Sequence, residues 1–262
     1  MKESLKSMRA NPLYIRSLIL HGNNKLKDYD DVESLLSYRY AQYNTRAIKD
    51  CPFRSAGCEA VCYATKGNHV FPSVQESRER SYEESRRDDF SEAIAYTIRT
   101  EKKSKRYADA VMLIRLHESG DFYSLQYMRK WVKAWNILEH DSGWQTTFYT
   151  KCFVFLLMLT DEEADVINRL MRAGKIAMNL SVDDTTTPEQ IDAMLKVIAR
   201  YPMANIYRCT EDVDSVEHDN VCDCADCAKC GTCNKGTGKT TVVKIHSASN
   251  DDMKVYRANV NK

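Results

Sequence analysis

From Val111 onward the chain alternates short apolar runs with amphipathic stretches, and that alternation leaves few folds open to it. VMLIRLH (Val111 to His117), TTFYTK (Thr146 to Lys151), KIAMNLSV (Lys175 to Val182), ANIYRC (Ala204 to Cys209) and TVVKIH (Thr241 to His246) have the length and character of strands. Ser124 to Leu138, Asp161 to Arg172 and Pro188 to Tyr201 have helical periodicity, with Asp161 and Pro188 in the first turns. Strands separated by such helices imply βαβ units and a parallel sheet. The expected fold is α/β: a partial, incomplete parallel β/α barrel over residues 1–210, with 211–262 as a cysteine-rich metal-binding segment packed on it. Chemistry in such folds gathers at the carboxyl ends of the strands. Those ends are polar here: His117-Glu118-Ser119-Gly120-Asp121, Thr150-Lys151 and Ser181-Val182-Asp183-Asp184. Upstream, the sequence suggests a short strand at Leu18 to Leu20, a helix over Asp31 to Tyr40 and one long charged helix from Ser73 to about Thr100.

A net charge of +1 gives no global attraction to nucleic acid or to anionic membrane, so nucleic-acid binding is open but unsupported. The longest apolar run, Cys152 to Leu159, is far short of the ~20 residues of a spanning helix, and the first residues lack the apolar stretch of a signal peptide. The expectation is a cytoplasmic protein with no membrane partner. Ten cysteines are many for such a chain, and in a reducing compartment clustered thiols point to metal rather than to disulfides.

Cys51, Cys58 and Cys62 lie in one loop, CPFRSAGCEAVCYATKGN, whose Pro52, Gly57 and Gly67 mark turns. Three thiolates so placed can hold three irons of a [4Fe–4S] cube and leave the fourth open to a small ligand. Zinc is the alternative, with His69 as fourth ligand. The second group, VCDCADCAKCGTC, sets Cys222, Cys224, Cys227, Cys230 and Cys233 at repeated short spacings. It suits either a second [4Fe–4S] cluster or zinc, with Cys209 as a further ligand. Its C-x-C-x2-C segment with His246 downstream also resembles the zinc site of tRNA-guanine transglycosylases. Gly236 to Thr240 reads as a turn into the last strand rather than as a phosphate loop. His117 stands at a strand end between Arg115 and Asp121, which sets it above the other histidines as a functional candidate.

With the cysteine loop ahead of these strands, the order of elements resembles the radical SAM superfamily over roughly residues 45–210. Leu116-His117-Glu118-Ser119-Gly120-Asp121-Phe122 occupies the place of that family's Gly-Gly-Glu strand end, and Leu180-Ser181-Val182-Asp183-Asp184 that of its Ser-x-Asp strand. The resemblance implies S-adenosylmethionine on the open iron of the triad cluster. It implies cofactor contacts from Tyr63, Ser119, Gly120, Asp121, Ser181 and Asp183, catalytic roles for His117 and Asp121, and an electron donor such as flavodoxin or ferredoxin. The substrate, small molecule or macromolecule, stays unknown. The pairing of CxxxCYA, RxHxSGDF and a cysteine-rich tail is also similar to an uncharacterised family of phage and mobile-element proteins. The competing function is a non-catalytic, zinc-stabilised protein that binds nucleic acid or a host protein.

Overall fold

The computed structural model describes residues 3–22, 27–31, 34–222, 231–245 and 248–261. Its strands are β1 (Tyr29–Asp31), β2 (Leu36–Tyr43), β3 (Val111–Leu116), β4 (Trp144–Thr150), β5 (Ile176–Asp183), β6 (Asn205–Thr210), β7 (Asn220–Cys222) and β8 (Thr240–Lys244). They form one sheet in the order β1-β2-β3-β4-β5-β6-β8-β7. Only the β1–β2 pair is antiparallel. The sheet is open, with β1 and β7 as its edges, so the expected parallel α/β winding is present without closure into a barrel.

The helices are α1 (Leu5–Ala10), α2 (Ala56–Ala60), α3 (Pro72–Arg86), α4 (Phe90–Glu101), α5 (Leu125–Ile137), α6 (Phe153–Leu157), α7 (Asp161–Arg172), α8 (Pro188–Arg200) and α9 (Asn250–Val260). Capping fixes several starts. Thr160 with Glu163 opens α7, and Thr187 with Gln190 opens α8 ahead of Pro188. The main core lies between α4, α5, α6, α7 and α8 and one face of the sheet, where Met112, Ile114, Leu116, Phe148, Met178, Leu180 and Val182 meet Trp131, Trp135, Ile167 and Val197. Consecutive parallel strands joined by right-handed crossovers put their helices on one face, which is the arrangement seen.

Three expectations need correction. Asp31 to Tyr40 is not a helix: it holds the end of β1 and most of β2. Tyr38 and Tyr40 recur at period two, share one face, and lie with Tyr29 over the sheet, the rings of Tyr29 and Tyr38 stacking at 4.8 Å. Leu18 to Leu20 makes only an isolated bridge, Ile19 to Gln42, rather than a strand. The long charged helix is two helices, α3 and α4, because Arg87 turns extended (ψ 142°) and pairs with Asp89 at the break.

The face turned away from the helices is polar. A segment after Gly231 crosses it, bonded by side chains of successive strands. Gln145 donates to the Asn234 carbonyl, Thr147 (2.8 Å) and Asn179 (3.0 Å) to that of Cys233, and Asn205 (2.8 Å) to that of Lys235. A backbone laid across a sheet face must find partners for its carbonyls, and the row of buried amides and hydroxyls supplies them.

Candidate functional site

The loop that carries Cys51, Cys58 and Cys62 is fastened to the carboxyl ends of the strands by short polar side chains. Ser55 accepts from the Cys58 N–H at 3.2 Å, starting α2, and its hydroxyl donates to Asp183 at the end of β5. The Gly57 N–H reaches Thr185 Oγ1 at 2.7 Å, and Gln190 holds the Phe53 carbonyl at 3.1 Å. The Asp121 N–H bonds the Asp50 carbonyl at 3.0 Å, and Asp50 is paired with Arg46 at 2.7 Å. Beyond the triad, the Tyr63 hydroxyl donates to the Glu118 carbonyl. From outside, α9 closes on α2: Tyr256 bonds Asp184 at 3.0 Å and Lys66 pairs with Asp252. A Cβ at Gly57 would stand 2.6 Å from the Tyr256 ring, so glycine is what lets the two helices approach.

The three thiols feel one another. Burial, then the charge of Asp121, raises Cys51, with Cys58 and Cys62 adding to the rise. Burial pushes Cys58 up to about 11 against the pull of Lys151. Lys151 is the cation of this enclosure, bonded to Asp183 at 2.8 Å and to the Ser181 carbonyl at 3.2 Å. Burial alone would lower it; Asp183 and the Cys58 thiol raise it instead. Burial would lift Asp183, but Lys151, Ser55 and Thr185 hold it below the usual carboxylate range. Cys51 and Cys58, raised in this way, would need a cation to become thiolates, and binding a metal is coupled to such proton loss.

Among the described residues, no three Cys, His, Asp or Glu side chains converge as ligands of a single metal ion. Ligands of one zinc ion all meet ~2.0–2.3 Å from a common centre. In a cube each thiolate binds a different iron, so the sulfurs stand apart. His69 has its Nδ1 2.7 Å from the Arg78 guanidinium and its ring edge-on to Tyr63. Three thiols on one loop would suit three irons of a cube, and a zinc ion would want a fourth ligand.

The other residues picked from the sequence fall in three places. Ser119 bonds the Thr45 carbonyl at 2.9 Å, and Gly120, at φ +84°, presses on Thr45; both shape the turn after β3. The buried Asp121 carboxylate accepts from Phe122 N–H (2.7 Å), Thr150 Oγ1 (2.8 Å) and Lys151 N–H (2.9 Å), tying the β3 and β4 ends together; burial raises it despite these donors. Ser181 is half-buried at the end of β5 beside Lys151. His117 points the other way: at φ +60° its ring enters the helix-side core, edge-on to Phe122 and with Nε2 3.1 Å from the Tyr127 hydroxyl.

His117 gives a test of its own. Burial, then Arg115, lowers its pKa to about 3, while an unfolded histidine titrates near ~6.5. The neutral folded ring contributes stability above ~6.5 that is lost as pH falls toward 3, because the unfolded chain then binds the extra proton. Asparagine tolerates positive φ. His117→Asn should therefore flatten the acid limb of stability by up to ~1.4 kcal/mol per pH unit between pH 6 and 4, measured by urea unfolding. Parallel limbs in both proteins would contradict this reading.

Of the second cysteine group, Cys224, Cys227 and Cys230 lie outside the described residues, as does His246. Cys222 is buried at the end of β7, and Cys233 lies on the polar face by the Tyr149 hydroxyl. Register places Asp183, Cys209, Val243 and Cys222 in one row across β5, β6, β8 and β7. Asp183, which anchors the triad loop, thus shares a row of the sheet with Cys209 and Cys222.

Two residues central to the enclosure escaped the sequence reading. Ser55 carried a signal, a cap residue three before Cys58. Lys151 was visible only as a polar strand end.

The model of one family, Gene product 88, matches residues 17–236, which take in the triad loop, every strand but β8, and the whole second cysteine group. Searches of curated proteins and of solved structures returned no match. Among the described residues, no helix is long and apolar enough to cross a membrane.

Proposed function

The chain belongs to the phage-type Gene product 88 family, and we propose, from its cysteine loop and strand ends, that this loop holds a [4Fe–4S] cluster serving a radical SAM-type enzyme. The observation that carries the reading is the loop's seat: three thiols on one short loop, anchored through Ser55 and Asp183 at the carboxyl ends of parallel strands that also carry Lys151. From β2 to β6 the strands are consecutive and parallel in one open sheet, which supports the comparison with an incomplete β/α barrel.

Cys51, Cys58 and Cys62 would hold three irons, and Lys151 offsets part of the thiolate charge in a site poor in water. When bound, the cluster and S-adenosylmethionine supply a carbon radical that abstracts hydrogen from the substrate; flavodoxin or ferredoxin is the proposed electron donor. Ser181 and the turn from Ser119 to Asp121 line the rim where the cofactor would rest. Asp121 shapes that turn, and Asp183 acts through the loop it anchors. The second cysteine group would hold a further cluster or zinc. The experiment is anaerobic reconstitution followed by electron-spin resonance of the reduced protein. S-adenosylmethionine should perturb the cluster signal of the wild type. An unchanged spectrum would remove the cofactor from the account, and a colourless zinc protein would favour the non-catalytic alternative.

A further inference from the structure

We infer that Arg115 anchors an anion-binding subsite on the polar face of the sheet, taking the carboxylate or phosphate group of a small ligand. Arg115 interrupts the apolar run of β3, and its register neighbours Gln42 and Thr147 place it on the face away from the helices. Its guanidinium lies flat over the Tyr149 ring, 3.7 Å from the ring centre, and Tyr149 meets Tyr207 edge-on at 4.7 Å. Its Nε is shut off from solvent and has no hydrogen-bond partner. Among the described residues no carboxylate is paired with it.

Other enclosed cations among the described residues have hydrogen-bond or ionic partners. Lys151 has Asp183, Arg46 has Asp50, and Arg78 bonds the Ala64 carbonyl and His69. Arg115 is half-buried with its Nε shut off from solvent, and a guanidinium partly taken from water without a counter-charge carries a cost that an apolar residue would not. Such a departure is expected where a ligand supplies the missing charge. Stacking uses the flat face of the guanidinium and leaves its edge, the part that binds oxyanions through paired N–H groups, for a ligand. Arg115 lies two residues before His117, ~7 Å along the strand from the turn, so a ligand held there would extend toward the rim that carries the triad. Tyr63 and Cys233 flank it. The subsite itself needs no metal, so its test stands or falls apart from that of the cluster.

The test is titration calorimetry and thermal melting of the protein as purified anaerobically, with inorganic phosphate and with malonate, against chloride at matched ionic strength. The wild type should bind at least one of the two anions and melt higher in its presence, and the preferred anion separates a phosphate ligand from a carboxylate one. Arg115→Gln should weaken that binding about tenfold or more, while melting no lower than the wild type without anion. Arg115→Lys, which keeps the charge but not the paired donors, should bind with intermediate affinity. The inference is overturned if the wild type responds to neither anion beyond chloride, if Arg115→Gln responds as the wild type does, or if Arg115→Gln melts lower and the anion response persists.

Discussion

Lys151→Met is expected to lower stability by about 3–5 kcal/mol, the usual cost of breaking a buried ion pair from one side. The side chains of Lys151 and Asp183 are only 8% and 4% exposed, so water cannot take over the lost partner. Ser55 and both Thr185 donors would still reach the carboxylate, but hydrogen bonds from neutral groups replace only part of a full charge. The pH dependence identifies the cause. Asp183 is held below the usual carboxylate range in the native chain, so its contribution is present above an unfolded pKa of ~3.9 and fades as pH falls below it. In the variant that depression is lost. Its deficit against the wild type should therefore be largest near neutrality and shrink as the pH is lowered through about 4. Urea unfolding at pH 7 and pH 4 measures both; a deficit under ~1 kcal/mol at pH 7 would mean the pair is not the keystone of the loop's seat.

Gly120→Ala should be nearly as damaging, by roughly 2–5 kcal/mol from backbone strain and overpacking together. The glycine is at φ +84°, and an added Cβ would lie 2.0 Å from Thr45 Oγ1 and 3.0 Å from the Thr45 carbonyl carbon. Thr45 cannot simply swing away, because its N–H and carbonyl both bond Ser119 in the same turn. Gly174→Ala separates the two causes: Gly174 also has positive φ (+68°) but nothing within 4 Å of its would-be Cβ, so it should lose only the ~1–2 kcal/mol of strain. Equal melting losses in the two variants would show that the close approach to Thr45 contributes nothing.

Much of this architecture was legible in the sequence where local and tertiary preferences agree. The runs at Val111, Thr146, Lys175, Ala204 and Thr241 became β3, β4, β5, β6 and β8 because buried parallel strands have to be apolar toward their helices. Asp31 to Tyr40 misled because its charges and tyrosines suit either period, and only pairing with β3 decides for the strand. The single long helix failed at Arg87, whose extended turn depends on a tertiary arrangement that acid–base spacing does not reveal. The cysteines announced themselves, but their support did not. Ser55 acts across 128 residues on Asp183, and no local pattern marks that contact. His117 looked catalytic from its neighbours, yet positive φ turns its ring into the core, and backbone sign cannot be read from a histidine. Arg115 was visible as a charge inside an apolar run, but that its Nε is buried with no partner among the described residues appears only in three dimensions.

The central claim is that the Cys51, Cys58 and Cys62 loop holds an iron–sulfur cube, and anaerobic iron, sulfide and zinc analysis tests it most directly. The wild type should be compared with a variant in which all three cysteines are serine, so that metal bound by the second group cancels. The account predicts that the variant loses about four irons and about four sulfides per chain while zinc stays the same. Equal iron in the two proteins, or a loss of zinc with no loss of sulfide, would contradict it.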